Sequence, residues 1–430
     1  MNLTAKICII GIFLFGAILT QPLVAGSTTF PETVAVGAYP FSSSVRASVS
    51  SAFLGIYAPD LTVREFEVRP ERARVRFFEN RHRLPVGFLP QPDSTRLLIV
   101  IPGLGGDAQS GMAGYLAGKA HQWGYNVLTV PSPLSWRFAL GASRAAYPGY
   151  TPYDVQDLLP LIQKSLKHFK KRFGVTVRSV SVLGYSLGGL HAAHLALQVE
   201  EVLGVSLERA VLINSPVDVV ESAVIVDEMY RIGEPFSEVH IAHIFGNLMQ
   251  LFGGVEPKYF VPEYVLFAGL EKSLKLSDRD LTWVIGRLFR EDLTGVLYTS
   301  QQVKERGVLK TPITWGRRTP RQEEARQYSF QRYMSQVVAP WVASEQPLLT
   351  SQGAITQAGL LPLSERFQQD RRFVFFHTAD DFLTTTKSMQ WALETFGERA
   401  IYYDRGGHLG QVWTAEFQTD LAKELGDITK

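Results

Sequence analysis

The stretch "SVSVLGYSLGGLHAAHLAL", residues 179–197, decides how the chain is read. Val180-Ser181-Val182-Leu183 is an apolar run of strand length, and from Leu187 onward apolar residues recur at helical spacing. Strand gives way to helix within a few residues, so the backbone must turn sharply at Ser186. A residue in such a turn is pushed toward an uncommon conformation in which side chains crowd one another. Gly184 and Gly188 remove side chains where that crowding would occur. A purely structural turn has little need of a strained serine, so the turn is expected to present the Ser186 hydroxyl at the end of a sheet for chemistry.

Outward from this stretch, strands and helices alternate. "STRLLIVIPGLGG" (94–106) reads as a strand ending in a glycine loop, and "AGYLAGKAHQWGYNVLTV" (113–130) as a helix, a stop at Gly124 and a second strand. "YDVQDLLPLIQKSLKHFKKRFG" (153–174) is an amphipathic helix with a basic face, ended by Gly174, and "RAVLINSP" (209–216) is another buried strand. Such alternation implies a parallel sheet covered on both faces. It stops over residues 221–370, where "SEVHIAHIFGNLMQLFGG", "SDRDLTWVIGRLFRED" and "QYSFQRYMSQVVAPWV" are helix-like. The sheet resumes at "RRFVFFHTADD" and "RAIYYDRGGH", and "TAEFQTDLAKELGDI" closes the chain as a helix. The reading is an α/β core in two parts, 96–220 and 371–430, interrupted by a helical insertion over 221–370. Residues 27–95 form an N-terminal extension, in which "TVREFEVRPERARVRFF" (62–78) reads as a β-hairpin around "RPER".

Composition narrows the classes. The chain has 430 residues, 46% hydrophobic and 20% charged, and a formal net charge of +2, too small to argue for nucleic acid or an acidic partner. Lys6, the run "ICIIGIFLFGAILT" and the small residues of "QPLVAGST" read as a signal peptide over 1–26, cleaved after Ala25 or Gly26. The alternative is an uncleaved anchor, but the strongly apolar run 7–19 is shorter than the roughly 20 residues a membrane helix needs. The one cysteine, Cys8, lies in this segment, so the mature chain would have no disulfide, thiolate nucleophile or cysteine metal site. Export to a periplasm or the exterior is the expectation.

Gly184-Tyr185-Ser186-Leu187-Gly188 matches G-x-S-x-G in the strand–turn–helix context that motif requires. Here the sequence resembles the α/β-hydrolase family, over about residues 96–220 and 371–430. The resemblance implies a nucleophilic Ser186 and, in chain order, an acid and then a histidine base. His408, in the loop "YYDRGGHLG", falls at the base position. Asp381 in "HTADDFL" falls at the acid position, with Asp380 and Asp218 as alternatives. The structural reading of the two adjacent aspartates is that they cap a loop or helix. His377 could support the acid loop. His191 and His194, and His240 and His243, recur at i, i+3 on helices and read as helix-face or lid histidines, because no further ligand completes a metal spacing. The oxyanion hole would use the backbone N–H groups of Leu187 and Leu104. The loop "IPGLGGDAQS" resembles the family's H-G-x-G, with Pro102 in the histidine place, and it lacks the spacing of a dinucleotide fingerprint.

The resemblance therefore implies a serine hydrolase acting on a carboxylic ester, with no metal or organic cofactor, and the N-terminal segment adds the expectation that it is exported. The insertion stands where such proteins carry a lid. Its Phe236, Phe245, Leu248, Met249, Phe252, Trp283 and Phe289 read as lid-to-core packing, or in part as the lining of an acyl pocket. The partners implied are a small-molecule or lipid ester and, through the lid, a membrane surface, with no nucleic acid. "WGRRTPRQEEAR" (315–326) reads as a solvated loop. Two other functions stay open: a peptidase or thioesterase with the same triad, and a hydrolase-like binding protein without catalysis.

Overall fold

Six apolar runs form the parallel part of one sheet: β3 (Arg96–Ile101), β4 (Asn126–Thr129), β5 (Ser179–Tyr185), β6 (Ser206–Ile213), β7 (Phe373–Thr378) and β8 (Ala400–Tyr403). Two antiparallel strands, β1 (Thr62–Phe66) and β2 (Leu84–Leu89), precede them, and the order across the sheet is β1-β2-β4-β3-β5-β6-β7-β8. The computed structural model describes residues 33–72, 75, 78, 81–109, 111–253, 261–314, 316 and 318–426. The expected signal segment, 1–26, lies outside them.

Near-continuous apolar runs suit strands buried on both faces. Leu97, Ile99 and Ile101 pack into one core with Val180, Val182 and Leu212, under the helices Thr151–Phe173 and Leu187–Ala196. The alternate residues Leu98, Val100, Leu183 and Val211 pack into the opposite core, with the helices Gly111–Gln122 and Ala415–Leu425. Successive side chains along a strand face opposite ways, so each run serves two cores at once.

One expectation about the N-terminal region is corrected. The described part of the N-terminal extension adds β1 and β2 to the sheet of the core strands. The hairpin within 62–78 does not form as expected, since the described Val75 and Phe78 lie in no strand, and β1 pairs instead with β2. Burial decides this: "LPVGFL" places Leu84, Val86 and Phe88 fully inside the core, which the arginine-rich run 72–76 could not do.

Between β6 and β7 every regular element is helical among the described residues. The helices Val219–Arg231, Glu238–Gly253 and Asp278–Val303 are the long ones, and the stretch 327–345 forms the helix Phe330–Tyr333, a π turn over Met334–Val338 and the helix Ala339–Glu345. The stretch 315–326 is not a loop throughout. It contains the helix Thr319–Arg326, and Arg321 is buried, bonding Glu305 and the Thr311 carbonyl. Asp227 ties the insertion together: its buried carboxylate accepts from Arg290 (2.8 Å) and from the N–H groups of Phe330 and Gln331.

Candidate active site

Ser186 follows the last residue of β5 and precedes the helix Leu187–Ala196, with φ +52° and ψ −133°. That region is costly for a residue with a Cβ and is retained where surrounding structure enforces it. The enforcement is visible. Ser186 N–H donates to the Ile213 carbonyl (2.8 Å), and the Ser186 carbonyl accepts from Gly189 (2.9 Å). A Cβ on Gly184 would lie 2.0 Å from the Gly188 carbonyl oxygen, and one on Gly188 would lie 2.2 Å from the Ile101 carbonyl oxygen. Only glycines allow this approach of strand and helix.

The structure brings Ser186, His408 and Asp381 together from three strand ends. The Ser186 Oγ–His408 Nε2 distance is 2.9 Å, and His408 Nδ1 stands 3.0 Å from Asp381 Oδ2. Since the carboxylate can only accept, Nδ1 carries the proton and Nε2 is free to receive one from the hydroxyl. Burial pushes the Asp381 carboxyl upward, but His408 and the Asn214 amide outweigh it and hold the group below its ordinary value. Asn214 Nδ2 donates to Asp381 Oδ2 (2.8 Å), and Leu383 N–H donates to Oδ1 (2.9 Å).

The alternative acids have other work. Asp218 caps the helix Val219–Arg231, accepting from Val220 N–H. Asp380 accepts from Gly407 N–H (2.7 Å) and Gly406 N–H (3.3 Å), so it shapes the histidine loop without touching His408. His377 comes no closer than 3.6 Å to Asp381, beyond hydrogen-bond length, and burial lowers its pKa to about 4, which leaves it neutral.

Leu104 and Leu187 line one cavity with Ser186 and His408. Leu187 opens its helix, where backbone N–H groups have no partner inside the helix. The Leu104 loop is pinned by Gly105 N–H to Leu134 (3.1 Å) and Gly106 N–H to Gly103 (3.1 Å). It meets the insertion at Asp292, whose carboxylate would lie 2.2 Å from a Cβ on Gly105. Burial, helped by Glu291, pushes the Asp292 carboxyl up to about 7.

Several supporting residues escape a sequence reading. Ser48 accepts the buried His408 N–H on its Oγ (2.8 Å), and a Cβ on Gly407 would lie 2.0 Å from the Ser44 carbonyl oxygen. Val36 N–H bonds Asp404, and Tyr39 bonds the Gly410 carbonyl. The weakly patterned residues 33–60 are thus a brace for the histidine loop. Asn214, with φ +44°, offered a signal only as an asparagine directly after a strand, a place where this residue tolerates a left-handed backbone.

Strand order, a strained serine at the β5 turn and a carboxylate and histidine after β7 and β8 together decide the fold. The chain has the α/β-hydrolase fold. No protein-family model and no curated protein matches it. Among solved structures, the chain is similar to an esterase of Pyrococcus furiosus at 11% identity, over 92% of this chain and 97% of that one, with a TM-score of 0.38. A fungal esterase from Rhizomucor miehei shares 11% identity over 89% of each chain (TM-score 0.42). The thioesterase domain of the curacin biosynthetic pathway shares 11% over 85% of this chain and 99% of its own (TM-score 0.35). At such TM-scores the agreement is loose, and the fold assignment rests on the strand order itself.

The cavity of this α/β-hydrolase fold has a volume of about 100 Å³ and largely apolar walls, among them Leu134, Leu190, Val226, Phe289 and Met334. Of the lid residues named from the sequence, Phe289 alone lines it among those described. Phe236, Phe245 and Trp283 pack on one another, and Met249 is exposed. The side chain of Phe252 lies outside the description. His240 pairs with Asp280 and His243 with Asn247, on the lid and apart from the cavity.

Proposed function

We propose that this chain is an exported serine hydrolase that cleaves a carboxylic ester through an acyl-enzyme on Ser186. One observation carries the reading: the unbroken Ser186–His408–Asp381 relay opening on an apolar cavity. A serine hydroxyl is a poor nucleophile unless a base removes its proton during attack. His408 Nε2 takes that proton as Oγ bonds to the ester carbonyl carbon, and the carbonyl electrons move onto oxygen. The Leu104 and Leu187 N–H groups stabilise the oxyanion. As the oxyanion collapses, the alkoxide leaves with the proton from His408. A water then attacks the acyl-enzyme, giving its proton to His408, and the acid departs as Ser186 recovers its hydrogen. Asp381 holds the imidazole tautomer and stabilises its charged form throughout. No cofactor enters this sequence.

The apolar walls favour an acyl group over a charged peptide side chain. Exposed Val239, Met249 and Val265 on the lid support peripheral contact with a lipid surface as part of the same proposal. Export rests on the N-terminal pattern of the sequence. The test is fluorophosphonate labelling beside turnover of p-nitrophenyl esters. Wild type should label and turn over, and Ser186→Ala should lose labelling and roughly 10⁴-fold or more of kcat. A folded wild-type protein that neither labels nor turns over any ester would leave the binding-protein reading.

A further inference from the structure

The helix that begins at Leu187 also carries His191 into the cavity. His191 is 2% exposed and lines the same cavity as Ser186, as does Asp154 at 3% exposed on the helix Thr151–Phe173. Side chains on a helix lean toward its N-terminus, so the His191 ring lies back toward the serine end. Its Nδ1 stands 3.1 Å from the Leu187 carbonyl oxygen, which can only accept. The ring hydrogen therefore sits on Nδ1, and in the neutral imidazole Nε2 is a lone pair. That Nε2 is buried without a hydrogen-bond partner, and it faces Asp154 Oδ2 at 3.6 Å, too far for a bond. Asp154 Oδ2 already receives Gly149 N–H at 2.8 Å. His191 Nε2 is thus an acceptor left unpaired in an apolar cavity beside the Asp154 carboxyl, and among the described residues nothing donates to it.

We infer that His191 and Asp154 form a hydrogen-bonding subsite of the acyl pocket, and that the preferred ester carries a hydroxyl on its acyl chain. This rests on the proposed ester hydrolysis at Ser186. A hydroxyl placed at the pair donates to His191 Nε2, and a plain alkyl chain there would leave that acceptor unpaired. Sites built around a substrate hydroxyl reject the analogue without it more strongly than a hydrophobic pocket rejects a methylene. Five residues of helix span roughly 7.5 Å along the axis, and the backward lean of His191 shortens the reach. With a cavity of about 100 Å³, the hydroxyl belongs on a short chain.

The experiment compares p-nitrophenyl esters of straight-chain acids with the same esters bearing one hydroxyl at successive carbons, on the intact wild-type protein, on His191→Leu and on Asp154→Asn. In wild type, one hydroxyl position should raise kcat/KM at least about tenfold over the matched alkyl ester. His191→Leu should abolish that preference, so that hydroxylated and plain alkyl esters are turned over with the same kcat/KM. Equal turnover of both series by wild type overturns the inference and leaves ester hydrolysis standing, as does a preference that survives in folded His191→Leu. Absence of labelling and of all turnover removes both readings. The wild-type comparison needs no variant, so a His191→Leu that fails to fold still leaves a decisive result.

Discussion

The carboxyl end of the sheet and the helical insertion above it are built on different rules. In the sheet, each group of the site sits at a strand's end or in the turn that follows it: Leu104 after β3, Ser186 after β5, Asn214 after β6, Asp381 after β7 and His408 after β8. Strand hydrogen bonding fixes those positions, and the side chains need only short reach. The insertion contains no strand among its described residues. It is held by aromatic packing around Tyr333 and Trp341 and by the buried Asp227–Arg290 pair, and it meets the site through Phe289, Phe330, Met334 and the contact of Asp292 with Gly105. The difference teaches that the groups of the proposed reaction reside in strand-end turns, whereas the shape of the pocket is written in the insertion.

That division can be broken from either side. On the sheet side, Asp381→Asn leaves the packing intact but loses the acceptor that fixes the His408 tautomer, so kcat should fall by about 10⁴ with little change in melting. Asp218→Asn, at a helix cap, should leave kcat unchanged. Equal losses in the two variants would mean the acid has been misassigned. On the insertion side, Asp227→Ala strands a buried guanidinium and two N–H groups, and should cost about 3–5 kcal/mol in chemical denaturation. Because Asp227 touches nothing that reacts, the surviving folded fraction should still label with fluorophosphonate.

A smaller effect tests the seam between the regions. In the unfolded chain the Asp292 carboxyl ionises near 3.8, and in the folded chain burial holds it protonated up to about 7. The folded state binds the extra proton across that window. Its stabilising share is therefore complete below pH 4 and lost as pH rises toward 7. Asp154, raised to about 6, adds a slope of the same sign. Asp292→Asn should flatten the decline between pH 4 and 7 in melting curves, and an unchanged slope would show that the contact with Gly105 is not buried enough to matter. Smallest is Ser48→Ala, which unpairs the buried His408 N–H. A loss of about 1 kcal/mol and a few-fold drop in kcat would sharpen the case that the N-terminal brace serves the histidine loop.

Much of the sheet was legible because burial on both faces leaves a simple mark, an uninterrupted apolar run between glycine stops. The placement of Ser186, His408 and Asp381 was legible through motif and chain order. The strand β2 was not, since the proline and glycine of "LPVGFL" break up its apolar run. Nor was the brace at Ser44–Val49, where serines and small residues give no periodic signal and the contact that matters spans 360 residues of chain.

By itself the sequence determined the local events: a run that becomes a strand, a turn that needs glycines at 184 and 188, a helix that stops at Gly174. These depend on neighbours a few residues apart and on backbone sterics. Only the tertiary structure decided which of three aspartates meets His408, which lid aromatic reaches the cavity, and that His191 and Asp154 face one another there. Those outcomes depend on distances between strand ends and helices that are far apart in the chain, and they are set by how the two cores pack. No local pattern contains that information.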